Sequence, residues 1–376
     1  MLLVCVVYLG YPVWLSFVKP KKLSNPILFR DETKVYHLVP MYNEATVAKA
    51  KFQNCLDLSS PHIIIHVFVI DQSDDETLSI LQSLSKGFEN FLVIDKGYRK
   101  GKNDSLNIAI EKLKPNPNDI LLFSDSNTML EKESFEHLYK GLRKGYGLVG
   151  GAMKYIDENT GSAKSEGLYW KYEEWIRRNE SKMNKCIVVN GGNFAMLAKH
   201  FHTLPTFVPN DLEAPLRLCG QNVPVGFSYE SKGIEPAVLE EKEEVQRKMR
   251  MANRQMNCIS YLWPELNFET KIQVLTRKVL RWSGYHMGIF SLILLLSSYF
   301  LEKTFVTTIA SLSSSVLLVL IGVFHLLAMI NDSNRLVLAF RHASNVHIYS
   351  FIGMISSLRG SRISTWEKAN SNRKTA

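Results

Sequence analysis

Two long apolar runs set close together near the carboxyl end frame what this chain can fold into. Gly284 to Leu301 and Phe305 to Ile330 are separated only by Glu302, Lys303 and Thr304. A helix of roughly 20 apolar residues crosses a bilayer and satisfies its own backbone hydrogen bonds there, so residues 284–331 read as two transmembrane helices. A third run, Leu2 to Val18, is followed at once by Lys19, Lys21 and Lys22. A cleaved signal peptide carries its positive charge ahead of the apolar run, so residues 1–18 read instead as an N-terminal transmembrane helix. Arg277, Lys278 and Arg281 precede the hairpin, and Arg335 and Arg341 follow it. Basic clusters stay on the cytoplasmic side, which places the middle of the chain in the cytoplasm. Val346 to Leu358 is too short to span and is trailed by Arg359, Arg362, Trp366 and Lys368, so residues 332–376 read as an interfacial or cytoplasmic C-terminal segment. Within residues 258–283, Ile272, Leu275, Val279 and Trp282 recur at helical spacing between Lys271, Arg277, Lys278 and Arg281. That pattern suits a helix lying in the headgroup layer; an amphipathic helix packed on the soluble domain is the alternative.

A net charge of +9 suits an anionic membrane surface or a phosphate-bearing substrate. With no recognition helix, zinc-knuckle spacing or aromatic-basic module, nucleic acid is not an expected partner. Cys5, Cys55, Cys186, Cys219 and Cys258 are scattered without a C-x-x-C pair, which argues against a zinc site or a disulfide framework.

Residues 31–257 alternate between strand and helix patterns. Val35 to Val39, His62 to Ile70, Phe91 to Ile94 and Ile120 to Phe123 read as strands; Glu44 to Leu58, Glu76 to Lys86 and Asp104 to Leu113 read as helices, the second with Ser73 or Asp74 as N-cap. Such alternation implies an α/β domain with a mostly parallel, Rossmann-like sheet, which binds ligands at the carboxyl ends of its strands. Polar clusters fall at those ends: Pro40-Met41-Tyr42-Asn43-Glu44, Asp71 to Thr77, and Ser124-Asp125-Ser126-Asn127. Each alone fits an ordinary turn. Together they offer carboxylates for a base, a ribose or a divalent cation, and oxygen ligands suit Mg²⁺ or Mn²⁺. Lys102 opens a helix after the basic loop Lys96 to Lys102, where donor phosphates could sit.

In order and spacing these segments resemble the family 2 glycosyltransferases, the group that includes cellulose, hyaluronan and exopolysaccharide synthases. The segments are Pro40 to Glu44, Asp71 to Thr77, Gly101 to Asn107, Asp125-Ser126-Asn127, Glu166 to Glu173, Gly191-Gly192-Asn193, Asn210-Asp211 and Arg247 to Met251. The resemblance covers nearly the whole chain. It implies a GT-A fold and inverting transfer of a sugar from a nucleotide-sugar, a UDP-sugar in many members, to a glycan or lipid-linked acceptor. The setting it implies is the cytoplasmic face of a bacterial plasma membrane, in exopolysaccharide or cell-surface glycan synthesis. Asp211 takes the place of the general base; on its own residues it reads as a helix N-cap. Pro40, Tyr42, Glu44, Asp71, Lys102, Asp125, Arg247 and Arg250 take donor-binding places, and Gly191, Gly192, Asn193 and Asn210 acceptor places. Asp125 and Asn127 occupy the metal position, for Mg²⁺ or Mn²⁺. Three departures stand out: Asn127 for the second acid of D-x-D, Asn210 for the first acid of the E-D pair, and Arg247 and Met251 for the Gln and Trp of Q-x-x-R-W. Asn127 and Met251 keep open a second class, a non-catalytic partner subunit that binds donor or lipid.

Overall fold

The computed structural model describes residues 10–23, 25–156, 161–236, 241–301, 304–330 and 335–364. The first half of the α/β domain is built from β1 (Val35–Met41), α2 (Ala45–Leu56), β2 (Ile64–Ile70), α3 (Thr77–Leu84), β3 (Phe91–Asp95), α4 (Lys102–Leu113) and β4 (Ile120–Phe123). A short helix, α1 (Tyr11–Ser16), precedes them. The second half adds β5 (Met129–Leu130), α5 (Ser134–Arg143), β6 (Leu148–Ile156), α6 (Gly161–Lys182), β7 (Phe194–Leu197), α7 (Asn210–Gly220) and β8 (Val225–Pro236). One sheet runs through both halves in the order β3-β2-β1-β4-β7-β6-β8-β5.

The expected strands and helices form within a few residues of their sequence bounds, but the sheet is mixed rather than mostly parallel. β1 pairs in parallel with β2 and β4, and β2 with β3. β7 then runs antiparallel to both β4 and β6. Parallel neighbours require a crossover connection: in the first half single helices supply it, and in the second β6 and β8, also parallel, are joined through α6, β7 and α7. β4 carries four consecutive buried apolar residues, as a strand covered on both faces should. Phe123 of β4 stacks on Phe194 of β7, ring centroids 4.3 Å apart, at the seam between the halves. The main core around that seam joins Leu38, Val67, Leu121 and Met196 to Leu212, Leu216 and Ile259.

The C-terminal part is helical: α8 (Glu241–Leu262), α9 (Phe268–Val274), a π-helical turn at Leu275–Val279, then α10 (Leu280–Leu301), α11 (Phe305–Ile330) and α12 (Arg335–Leu358). The boundaries drawn at 257/258 and 283/284 therefore fall inside α8 and α10. Val346 to Leu358 belongs to the longer α12, which packs against α8, α10 and α11. Among the described residues one helix, Phe268–Ser297, is long and apolar enough to cross a membrane by length and composition, and Phe305–Ile321 is a shorter apolar stretch. Phe300, Phe305, Val306, Leu312 and Val319 point outward on this hairpin. Of the N-terminal run, residues 1–9 lie outside the described residues, as do Glu302, Lys303, Trp366 and Lys368. Side chains of 166–170, Arg335 and Arg341 lie outside them too.

The basic residues ahead of the hairpin do not face a headgroup layer as a set. Arg277 is fully buried. Its guanidinium makes a two-pronged contact with Glu173 at 3.2 and 2.9 Å and an Nε contact with Glu180 at 2.9 Å. Arg281 adds a 2.8 Å bond to Glu173, and the Tyr11 hydroxyl donates to Glu180. This network fixes α1 and the apolar helix to α6. The mixed apolar-basic spacing is thus that of a helix packed on the soluble domain. Breaking a buried pair leaves uncompensated charge, at a cost of about 3–5 kcal/mol. Arg277→Met should therefore lower the thermal unfolding midpoint in detergent by several degrees. Arg30→Ala, whose 3.6 Å pair with Glu32 is solvated, should leave it unchanged.

Candidate functional site

The turns after β1 and β2 are stapled to each other. Asn43 and Gln72 both adopt left-handed backbone, at φ 51° and 49°, which turns the chain sharply at each strand end. Asn43 then receives a bond from Asp74 N–H and donates its own N–H to Ser73; Glu44 N–H donates to Thr77 and Ala45 N–H to Asp75. Much of the polar character of these two segments is spent on this staple. The helix after β2 starts at Thr77, its N–H bonded to Asp75 rather than to Ser73 or Asp74.

Asp71 closes β2 and anchors the basic loop. It accepts bonds from Lys96 Nζ (2.6 Å), Lys100 N–H (2.9 Å) and Gly101 N–H (2.8 Å). Lys96 also pairs with Asp104 at 2.7 Å. Burial works to raise the Asp104 carboxyl, and bonds from Lys96 and Lys100 outweigh it, holding the group below its ordinary range. Gly101 sits at φ 93°, ψ 174° as N-cap of α4, a conformation that glycine adopts without strain.

Two clefts meet at this edge. The smaller, about 520 Å³ with solvent included, is lined by Pro40, Tyr42, Glu44, Asp71, Arg99, Gly101, Lys102 and Asp125 among others. Arg99, missed in the sequence, lays its guanidinium 4.0 Å from the Tyr42 ring centroid. The larger, about 1250 Å³, is lined among others by Lys102, Asp125, Gly191, Gly192, Asn210, Asp211, Glu235, Arg247 and Arg250. Lys102 and Asp125 line both, and the Lys102 ammonium is bonded to the Asp125 carboxylate at the junction. Asp71 and Asp211 thus line adjoining clefts that share Lys102 and Asp125.

Asp211 lies in the first turn of α7, and Pro209 is the N-cap. Its carbonyl accepts Val189 N–H, which ties α7 to the Val188–Gly192 loop. Burial pushes the Asp211 carboxyl up, Lys102 and Lys278 pull it back, and Asp125 adds to the rise. The net is a carboxylate more basic than usual.

Two expected residues lie elsewhere. Asn193 is fully buried, bonded to Ala152 and Ser231, and holds the loop rather than lining a cleft. Asn127, half-buried on the turn after Asp125, lines neither cleft. In its place stands Glu235 at the end of β8, bonded by the Thr128 hydroxyl. Burial raises the Glu235 carboxyl, with Asp125 adding to the rise. Asp125 and Glu235 line the same cleft, and two carboxylates there offer the oxygen ligands that suit a hard divalent cation. A side chain at Gly192 would meet Thr128 at 2.3 Å and Glu235 at 3.0 Å, so glycine keeps this corner open. Glu235 sits more than a hundred residues from Asp125 in a strand with no motif, and no sequence signal pointed to it.

Beneath the Asp125 turn lies the one His/Cys cluster among the described residues, His37, Cys55 and His66. His37 contacts His66 at 3.0 Å and Ser124 at 2.6 Å. Burial and the nearby Lys51 ammonium drive His66 down to about 3. A neutral, hydrogen-bonded pair next to a buried ammonium supports the turn and is a poor host for a cation.

Residues 37–204 match the family described as Glycosyl transferase family 2. The match takes in the first cleft and the Gly191-Gly192 loop and ends before Asp211, Arg247 and Arg250. No curated protein matches the chain. Among solved structures, a mannosyltransferase, PcManGT from Pyrobaculum calidifontis, in complex with GDP-Man and Mn²⁺, superposes with a TM-score of 0.67 at 15% identity, over 96% of this chain and 98% of that one. GalNAc-T7 with UDP, GalNAc and Mn²⁺ aligns over 55% of this chain and 44% of its own, at 13% identity and a TM-score of 0.43. The first likeness fixes the fold as GT-A, with a mixed sheet, along nearly the full chain.

The raised Asp211 carboxyl has a kinetic signature. If it must be ionised to act, activity falls as pH drops through its folded pKa, above the ordinary carboxylate range. Removing the Lys102 charge lifts that pKa further. The acid limb of kcat/KM should therefore move to higher pH in Lys102→Met, whatever the loss in absolute rate, as pH–rate profiles of the two proteins would measure.

Proposed function

We propose that the chain is an inverting glycosyltransferase that moves a hexosyl group from a nucleotide-sugar to a glycan or lipid-linked acceptor at a membrane face. The observation that carries this reading is the junction of two clefts at Lys102 and Asp125. On one side are groups suited to a nucleoside diphosphate; on the other is Asp211, a half-buried carboxylate of raised basicity.

In the smaller cleft the Tyr42–Arg99 wall offers a face for a base, and the loop pinned by Asp71 presents Lys102 at the start of α4, where phosphate is favoured. Arg247 and Arg250 face the diphosphate from α8 and supply bidentate donors. Asp211 takes the proton of the acceptor hydroxyl as its oxygen attacks the anomeric carbon. The bond from that carbon to the diphosphate breaks, and the nucleoside diphosphate leaves. Asp125 and Glu235 are the residues that would hold Mg²⁺ or Mn²⁺, which when bound offsets charge on the leaving diphosphate. The mannosyltransferase of like fold was solved with GDP-Man, so GDP-sugars belong beside UDP-sugars in any donor panel. The apolar helices α10 and α11 support an integral membrane setting, with the soluble domain on the cytoplasmic side.

Purified protein with Mn²⁺ and a panel of UDP- and GDP-sugars should release nucleoside diphosphate. Asp211→Asn should lower transfer about 10²–10⁴-fold while donor affinity stays within twofold of the parent. Because burying the charged Asp211 costs stability at neutral pH, the inactive variant should melt no lower than the parent. Unaltered transfer by Asp211→Asn sinks the base assignment. Glu235→Gln should raise the Mn²⁺ concentration for half-maximal activity about 10-fold or more; an unchanged metal titration removes Glu235 from the cation site.

A further inference from the structure

The acceptor side of the larger cleft carries more positive charge than the proposed donor chemistry uses. Six of its lining residues are cations and four are carboxylates. The carboxylates are already engaged: Asp125 with Lys102, Glu173 with Arg277 and Arg281, Glu235 with Thr128, and Asp211 in the role of base. Arg247 and Arg250 serve the leaving diphosphate. Arg254 and Lys278 remain.

Lys278 and Arg254 are the informative ones. Lys278 lines the cleft from the π-helical turn and makes no hydrogen bond or ion pair among the described residues. Arg254 gives one guanidinium nitrogen to the carbonyls of Thr206 and Val208, at 3.2 and 2.6 Å, while its buried Nε has no partner. Neither has a carboxylate within ion-pair distance among the described residues, since Glu173 acts on Lys278 and Asp211 on Arg254 only at longer range, and a partly buried cation held so loosely is costly. Two of them facing one hollow suit an anion that arrives with a ligand. Tyr155 is the one aromatic residue in the lining, so the cleft offers little of the flat apolar surface on which a neutral sugar chain would stack. The position adds a second constraint: α10, the apolar helix, begins at Leu280, two residues after Lys278.

Resting on the glycosyltransferase reading above, we infer that the acceptor is an anionic lipid, a phosphate-bearing headgroup whose phosphate sits against Lys278 and Arg254 at the foot of the apolar helix. A hydroxyl of the same headgroup faces Asp211. The acceptor oxygen bonds to the anomeric carbon, its proton goes to Asp211, and the acceptor phosphate is unchanged by the step.

Binding of farnesyl phosphate, farnesol and inorganic phosphate to the full chain in neutral detergent tests this, with UDP and GDP binding in Mn²⁺ measured in parallel. Farnesyl phosphate should bind at least about tenfold tighter than either farnesol or inorganic phosphate, the range expected for charged hydrogen bonds. Lys278→Met should erase that preference and Lys278→Arg restore it, with nucleotide affinity unchanged in both and the Lys278→Met protein melting no lower than the parent. Equal binding of farnesol and farnesyl phosphate by the parent protein overturns the inference without recourse to any variant. Inorganic phosphate binding as tightly as farnesyl phosphate overturns its lipid part. Loss of nucleotide binding in the parent would instead strike the glycosyltransferase reading itself.

Discussion

The ion pair between Lys102 and Asp125 is the constraint on which the rest of the site depends. Carboxylates at 71, 104, 125, 211 and 235 are drawn to one sheet edge by the topology, and unpaired they would repel one another out of a compact arrangement. The loop from Lys96 to Lys102 supplies the opposing charge. Lys96 bridges Asp71 and Asp104, backbone N–H groups of Lys100 and Gly101 complete Asp71, and Lys102 reaches Asp125. Gly101 makes the geometry available, because its left-handed backbone lets one N–H point at Asp71 while the next residue starts a helix aimed at Asp125. The site is therefore a charge-balanced lattice whose last open positions lie where a diphosphate and a cation would enter.

That lattice was partly legible in the sequence. β1 to β4 follow from apolar runs and flanking turn residues, since parallel buried strands leave a clear signature. The second half does not: β7 follows an irregular loop and takes its place beside β4 through the long-range packing of Phe194 on Phe123, and β8 pairs in parallel with β6 across a crossover that contains β7. The same division holds for the site. Residues at the ends of β1, β2 and β4 stand in short motifs and line the clefts as expected, whereas Asn193 and Asn127, read from the same motifs, serve the scaffold or face away. Glu235, Arg99, Arg177, Arg254 and Lys278 reach the clefts from elements whose relative placement only the fold defines.

Glu235 also bears on the departures from the family pattern. A turn that loses the second acid of D-x-D at Asn127 would be a poor cation site if the turn were the whole site. Here the second carboxylate comes from the far edge of the sheet, with Gly192 leaving room beside it. Substitution along the motif and retention of an acidic pair in space are compatible, so the motif's degeneracy is weak ground for a non-catalytic reading.

Hydropathy divides this chain into a soluble domain and apolar helices, and the packing joins what hydropathy separates. The π turn at Leu275–Val279 is the hinge point of that union: Arg277 turns inward to Glu173 and Glu180, while its neighbour Lys278 faces the cleft. A cut at the hydropathy boundary near 257 would sever α8 between Arg254 and Leu262 and strip both buried glutamates of their counter-charge. Of the basic residues near Glu173, only Arg177 on the same helix would remain. The wall of the larger cleft belongs as much to the segment leading into the apolar helix as to the α/β domain, so the position of that helix, whatever medium surrounds it, is one of the determinants of the cleft's shape.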